Sequence, residues 1–525
     1  MRPAADPPGR AVLVVLIPLI LLTLAGAVAT LSWPFFWDHG IFAWIGDTIV
    51  RGGLPYRDAW DVKGPLSFAA FALTEALFGR GMWGIRLLDL VAVGAAGFAA
   101  SRMVQRMSGR TAAWLVGVGL VLHHISLGYV DSAQPDGWVA FGLTGAVALL
   151  VTPPGAASLR RLAAAGLAIG AAALVKPHYL GFLVLPGLAI MAESSEGSRP
   201  AWMRPAILTL AAVVPLALLI AWFGLRGATA HLIDSYVLFN LEAAGEESHS
   251  LLRLARAIWH HFAQPEWIAA SAAGAVGLGV LVRRRANEAV LLGAWLVTAF
   301  GAVIMQGRFY GYHWHLVAWP LGILAGVGLA ACWRADRWQR AARVAASVVA
   351  LVMLLPSVTR TTDSVWHWSR WRLGRESDAA YWSRFDWSQP AFEMQVMLEV
   401  SRFVAARTRP ADRVLAWNSP MVNYLSERQT PSRFSTGIPF SPRHGGRSPS
   451  PRRLAYRAEF LAALTTRPPA LVVVDEKSLR HEPLDRWGGP RWSNIPTRFP
   501  ELAAWLEARY RPDTTIGFYQ VYVPR

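Results

Sequence analysis

Residues 33–68 read WPFFWDHGIFAWIGDTIVRGGLPYRDAWDVKGPLSF and follow directly on an apolar run, Ala11 to Leu31. Four aspartates, two arginines and a lysine stand here among tryptophans and phenylalanines. The preceding run is long enough to cross a bilayer. Arg2 and Arg10 precede it and no small-residue cleavage site follows, so it reads as a retained first helix rather than a removed signal peptide. The charge therefore begins where a membrane span ends, and charge so placed calls for a chemical explanation.

The whole chain agrees with a membrane setting. Of its 525 residues 54% are hydrophobic and 16% charged, with a mean hydropathy of +0.32, whereas soluble domains carry about a quarter charged residues. The net charge of +17 raises the question of nucleic acid. However, the arginines gather at the ends of apolar runs, as cytoplasmic loops and anionic headgroups require, and nucleic acid is set aside. The single cysteine, Cys332, lies inside an apolar run, which excludes an intramolecular disulfide and argues against a cysteine-based metal site.

Further apolar runs fall near 84–104, 111–128, 135–151, 161–175, 177–192, 206–224, 266–282, 288–305, 314–332 and 341–358. With the first they predict a polytopic α-helical protein of about eleven spans. Arg102, Arg106 and Arg110, then Arg160 and Arg161, Arg199 and Arg204, Arg283 to Arg285, and Arg334 to Arg343 mark alternate loops as cytoplasmic. Residues 33–68 then face outward, together with the loops near Asp131–Asp136, 225–264 and 306–313. Arg51, Arg57, Arg80 and Arg86 run against this pattern and need another explanation.

From 359 the character changes. RVLAW (413–417), ALVVVD (470–475) and IGFYQVYV (516–523) read as strands, and FPELAAWLEARY (499–510) as a helix. PRHGGRSPSPRRL (442–454) reads as a turn-rich loop. The expected organisation is a transmembrane module over 1–358, with a structured first outer loop at 32–83, and an outer α/β domain over 359–525. Within the loop, Ile41, Phe42, Ile45 and Ile49 form one helical stripe with Trp44 beside it. That suits a short helix in the headgroup layer. PLSFAAFALTEALFG (65–79) is a second interfacial or dipping helix.

Three motifs carry a resemblance. Asp38-His-Gly with Ala43, then RGGLPYRD (51–58), then Asp61-Val-Lys63-Gly-Pro-Leu66, resemble the first outer loop of polyprenyl-phosphate-sugar-dependent GT-C glycosyltransferases, among them the protein O-mannosyltransferase and aminoarabinose-transferase group. LVKPHYLGF (174–182) is similar to that family's lysine turn between two spans. GRFYGYHWHLVAWPL (307–321) is similar to its outer Tyr/His motif. The stretches 412–428, 469–475 and 499–510 are similar to the outer domain of bacterial members.

The resemblance implies a sugar moved from a lipid phosphate to an acceptor hydroxyl or amine. A carboxylate must take the acceptor's proton, and by resemblance that base is Asp38, with inversion at the anomeric carbon. Cations must meet the departing phosphate; Lys63 comes first, then Lys176 and Arg308. Asp61 positions Lys63 or a loop amide, Asp136 matches an acid of the second outer loop, with Asp131 competing for that place, and Tyr310 and His313 are candidate substrate contacts. Many members carry a second acid where this chain has His39, which leaves the division of labour beside Asp38 open, and many have proline in place of Gly64. No cofactor is implied beyond the lipid-linked donor. Alternating His313 and His315 lack the converging ligands of a zinc site, so no metal is expected.

Plainer readings stand beside these. Asp38 is a good N-cap residue for the helix that follows, Lys63 and Lys176 can be interfacial lysines, and tryptophans such as Trp37 and Trp60 can be belt anchors or sugar-stacking faces. Two other functions compete with a transferase. A transporter or flippase of lipid-linked sugars would show internal repeats and midplane charge, and neither is found. A catalytically inactive assembly subunit of the same fold is the third reading.

Overall fold

The computed structural model describes residues 10–151, 158–184, 187, 200, 202–246, 251–284, 286–334, 339–388, 391–442, 448–479 and 494–525. In chain order the helices that matter below are α1 (Arg10–Thr30), α2 (Trp37–Val50), α3 (Pro65–Phe78), α4 (Trp83–Ser126), α5 (Pro135–Leu150) and α6 (Leu159–Ala173). They continue with α7 (Met203–Leu225), α8 (Pro265–Arg283), α9 (Asn287–Gln306), α10 (His315–Trp333) and α11 (Gln339–Arg372). Among the described residues, seven helices are long and apolar enough to cross a membrane.

One of the seven, α4, spans 44 residues, about 66 Å at 1.5 Å per residue and twice what a bilayer core needs. It is two helices joined at Gly109, whose φ of +81° is open to glycine at little cost. The arms fold back on one another: Ser101 Oγ donates to the Ala113 carbonyl at 2.7 Å. These arms are the expected spans 84–104 and 111–128. The expected spans 135–151 and 161–175 are the shorter helices α5 and α6. The run 177–192 opens as a 3-10 turn, Pro177–Leu183, and most of its remainder lies outside the described residues.

The chain divides into two compact units, neither continuous in sequence. The first holds Met1–Trp33, Met82–Trp222 and His249–Arg372. Its tightest pair is α8 against α10, where Gly277 and Gly328 leave no room for a side chain: a Cβ on either would lie 2.0 Å from the facing carbonyl oxygen, of Leu324 or Ala273. Small residues at such seams let helix backbones approach in an apolar solvent.

Loops predicted to share a side do meet within this unit. Arg106 donates to the Val151 carbonyl at 2.7 Å, Arg284 to that of Met107 at 3.2 Å, and Arg334 to that of Ser108. At the other helix ends, His315 Nε2 lies 3.2 Å from the Asp131 carbonyl, and His261 stacks on Trp314 at 4.4 Å.

The second unit holds Pro34–Gly81, Phe223–Ser248 and Leu373–Arg525. Its sheet comprises β1 (Val414–Trp417), β2 (Leu471–Asp475), β3 (Tyr510–Ile516) and β4 (Tyr519–Pro524), in the order β1-β2-β4-β3. β1 and β2 are parallel; β4 runs antiparallel to both its neighbours. The aromatic core, with Trp417, Phe434, Phe440, Tyr456, Phe460 and Phe499, also takes in Trp60, Phe239 and Ala243.

Several expectations change here. The boundary at 358/359 is not where the compact units divide, because α11 continues to Arg372 and residues 34–81 and 223–248 pack with the tail. The cause is burial: Trp60 is 1% exposed inside the aromatic core, a side chain worth roughly 3 kcal/mol when removed from water, and so neither a membrane anchor nor a sugar platform. Nor is the apolar stripe of α2 exposed, as a helix resting on headgroups would require. Ile41, Phe42, Trp44 and Ile45 are all buried, with α3 and the short helix Pro420–Ser426 packed against α2. IGFYQVYV is the end of β3, a turn at Gly517–Phe518, and β4. Of the loop at 442–454, residues 443–447 lie outside the described ones, and Pro451–Thr466 is a helix capped by Ser450 Oγ, which accepts from the Arg453 N–H at 3.3 Å.

Candidate active site

In the second unit, α2 starts at Trp37 and sets Asp38 in its first turn, where the unsatisfied N–H groups favour negative charge. Asp38 is not the N-cap, because His39 takes the capping contact instead: its Nδ1 accepts the Phe36 N–H at 3.1 Å. The His39 ring is buried, with Phe35 and Phe71 at centroid distances of 6.2 and 6.4 Å. The histidine that stands where many family members have a second acid is thus part of the helix start.

The turn 61–64 is built around Asp61, whose Oδ1 accepts the Lys63 N–H at 2.8 Å. Tyr56 donates its hydroxyl to the Lys63 carbonyl at 2.7 Å, and Asn240 donates to the Val62 carbonyl at 2.8 Å. Gly64 then caps α3, with Pro65 at the first helical position, where its missing N–H has no consequence. Lys63 is thereby held by its backbone on both sides.

Burial pushes the Asp61 carboxyl up to about 6. The Lys63 N–H and the Lys63 charge oppose the shift, and the Asp38 charge adds to it. The Asp38 and Lys63 charges both act on Asp61.

The first unit brings together another set. Lys176, at the turn after α6, donates to both Asp136 oxygens at 2.8 and 2.9 Å, and also to Gln306 Oε1. Asp136 sits in the first turn of α5 and also accepts from the Tyr179 hydroxyl; Gln306 Nε2 lies 3.3 Å from that hydroxyl. Lys176 is thus no surface lysine, and its charge is met by a buried carboxylate. Arg308 follows two residues after Gln306, between Gly307 and Phe309, which both adopt positive φ, +63° and +54°. That is an unusual conformation for phenylalanine. Tyr310 and His313 share this loop with ring centroids 5.4 Å apart; Tyr310 is exposed and His313 buried.

The four arginines at odds with the loop pattern all have local partners. Arg51 pairs with Asp47 at 2.9 Å and Arg57 with Asp58 at 2.7 Å. Arg80 bonds Asp47 and the Tyr424 carbonyl, the latter at 2.7 Å. Arg86 is buried and holds the Ser132 hydroxyl at 2.8 Å and the Tyr129 carbonyl at 3.1 Å. These contacts fix loops and make no claim on a phosphate.

Sequence reasoning did not single out Tyr179, although it lies in the quoted 174–182 stretch, nor Gln306. It also passed over Asp89, an acid inside an apolar run, where such a residue is costly and calls for partners. Asp89 accepts from Trp138 Nε1 at 2.9 Å and the Ala133 N–H at 3.0 Å, and lies 2.7 Å from His124 Nε2. It pins the loop that leads to Asp136. Among the described residues, no group of three or more His, Cys, Asp or Glu side chains is placed to hold a metal ion.

No family model matches the chain, and no curated protein matches it in sequence. Solved structures do. ArnT from Cupriavidus metallidurans bound to undecaprenyl phosphate superposes with a TM-score of 0.61 at 14% identity, covering 97% of this chain and 98% of that one. The apo state of the same protein gives 0.57 at 15% identity, covering 97% of each chain. At such identity the likeness is one of fold, and the chain is a multi-pass membrane protein with the GT-C fold that its sequence motifs resemble.

Proposed function

We propose that this protein is an integral-membrane glycosyltransferase that moves a sugar from a polyprenyl-phosphate donor to a glycan, lipid or protein of the cell envelope. The reading rests on Asp38 in the first turn of α2 and on Lys63 in the turn that Asp61 fixes before α3. The shared fold with a protein whose structure holds undecaprenyl phosphate supports the lipid donor.

In this mechanism the acceptor oxygen attacks the anomeric carbon while Asp38 takes its proton. The bond between that carbon and the phosphate oxygen breaks with its electron pair going to oxygen, and polyprenyl phosphate leaves. A single displacement inverts the anomeric configuration. Lys63 offsets the charge that develops on the phosphate, as preorganised cations do in a site shielded from water. Asp61 keeps the lysine turn in place. His39 supports Asp38 at the helix start. In the first unit Lys176 and Arg308 are candidates for phosphate contacts of their own, with Asp136, Tyr310 and His313 beside them, and Lys176 must exchange Asp136 for a phosphate to serve as one. No metal takes part. The membrane is the inner or plasma membrane, with the reaction on the periplasmic or extracytoplasmic face, where the loops without clustered arginine lie.

The test is the purified protein in liposomes with a panel of undecaprenyl-phosphate sugars and an envelope extract as acceptor. Acceptor-dependent release of undecaprenyl phosphate, an inverted product linkage by NMR and indifference to EDTA are expected. Absence of release with every donor, or retention of configuration, would contradict the proposal.

A further inference from the structure

The α/β sheet carries a second feature, separate from the Asp38 group. At one end of the sheet an open cleft of about 730 Å³ is lined by Arg413, Arg467, Arg509 and Arg525, with Tyr510 and Pro469. The four arginines come from four chain segments that the strand register brings to one edge. Arg413 precedes β1, Arg467 precedes β2, Arg509 precedes β3 and Arg525 follows β4. Backbone bonds fix the arrangement. The Arg413 carbonyl accepts the Ala470 N–H at 2.8 Å, and the Arg509 carbonyl accepts the Arg525 N–H at 3.0 Å. The Tyr510 hydroxyl donates to the Pro469 carbonyl at 2.7 Å.

Two guanidiniums are further oriented by carbonyls. Arg413 Nη1 donates to Thr430 at 2.7 Å, and Arg525 Nε to Glu507 at 3.0 Å and Tyr510 at 3.2 Å. Among the described residues none of the four forms an ion pair, and the one acid in the lining, Asp412, is paired with Arg409 at 3.7 Å. Burial first, and then the like charge of Arg467, pulls the Arg413 guanidinium below its usual range. Four guanidiniums around one acidic side chain give the cleft an excess of positive charge that an anion would meet.

We infer that this cleft binds an acidic saccharide, a glycan carrying carboxylate or phosphate groups. Planar guanidinium forks hold either anion through paired N–H groups. The exposed rings of Pro468 and Pro524 in the lining offer apolar faces to sugar C–H groups, and the volume falls in the range of about 300–1,000 Å³ typical of organic ligands rather than a lone ion. The site stands apart from Asp38. β1 starts in the cleft and runs four residues away from it, and the helix after its far end packs on α2. Binding does not require the transferase reading, although with that reading it makes the acceptor an acidic glycan.

The experiment uses the full chain in phosphatidylcholine nanodiscs, titrated with tetragalacturonate, a phosphorylated tetramannose, and neutral maltotetraose. At least one acidic probe is expected to bind, more weakly as salt rises, and maltotetraose not to bind. R467Q/R509Q alters two exposed side chains without hydrogen bonds of their own among the described residues. It should weaken binding at least tenfold at an unchanged thermal midpoint. If that variant unfolds, R467Q alone decides, with an expected loss of about threefold. Equal binding by parent and variant, equal binding of the neutral glycan, or failure of both acidic glycans overturns the inference. So does arginine-dependent attachment to phosphatidylglycerol vesicles without glycan binding, which would make the surface a headgroup contact.

Discussion

Two lysines of this protein look alike in sequence, each in a short turn near a proline and each related to an acid, yet the structure treats them differently. Lys176 donates to both oxygens of buried Asp136, with Tyr179 and Gln306 completing the shell. Lys63 is held by its backbone, through Asp61 on its N–H and Tyr56 on its carbonyl. In the first case side chains bond the ammonium itself; in the second they bond the backbone that carries the lysine. A buried ion pair is built into the architecture, whereas a turn fixed through its backbone sets where its lysine stands.

The largest effect should come from breaking the matched pair. Asp136→Leu leaves the part-buried Lys176 ammonium without its counter-charge, a change that costs up to about 3 kcal/mol, the low end for a fully buried pair. The double change Asp136→Leu/Lys176→Met should recover most of that loss in a thermal unfolding series. Recovery would sharpen the comparison, and equal instability of single and double variants would break it. Next, Lys63→Ala should lower turnover about a hundredfold, the scale of losing one group that stabilises developing charge, while the thermal midpoint stays. A collapse of stability instead would place Lys63 in the same class as Lys176.

Asp61 gives a pH signature. Burial pushes its carboxyl up to about 6 in the folded protein, above the value of about 3.9 in an unfolded chain. The folded state therefore holds the proton longer, and stability declines as pH rises through the window between the two values. The difference of about two pH units corresponds to roughly 2–3 kcal/mol. Asp61→Asn should remove that slope from denaturant titrations between about pH 4 and 6. The smallest effect on activity belongs to His39→Ala, which loses the bond to the Phe36 N–H and a buried ring and lowers stability, but should leave most activity. A loss comparable to that of Asp38 variants would return His39 to the chemistry.

The helical scaffold was legible because lipid imposes a one-dimensional code. Apolar runs and terminal arginines predicted which loops meet, and Arg106, Arg284 and Arg334 do cap neighbouring helix ends. The lysine turn was legible as a unit because Asp61, Lys63, Gly64 and Pro65 lie in one short stretch. What failed depends on contacts between distant residues. The stripe through Ile41, Phe42 and Ile45 looked interfacial, because nothing local reveals that α3 and the helix at 420–426 cover Trp44 too. Trp60 joins a core made some 350 to 450 residues later, between Trp417 and Tyr510. β3 carries Pro512 and Asp513 on a mostly exposed edge, so it lacks the alternation that marks a strand. Gln306 meets Lys176 across 130 residues, beyond any spacing rule.

The most direct test of the central claim is sugar transfer by Asp38→Asn, measured beside the parent protein with a polyprenyl-phosphate sugar and an envelope acceptor. If Asp38 is the base, transfer falls about a thousandfold, while the folded protein still binds undecaprenyl phosphate as the parent does. Transfer at the parent rate, or unaltered envelope glycans in cells whose sole copy carries the change, would show that the carboxylate at the start of α2 is not the proton acceptor.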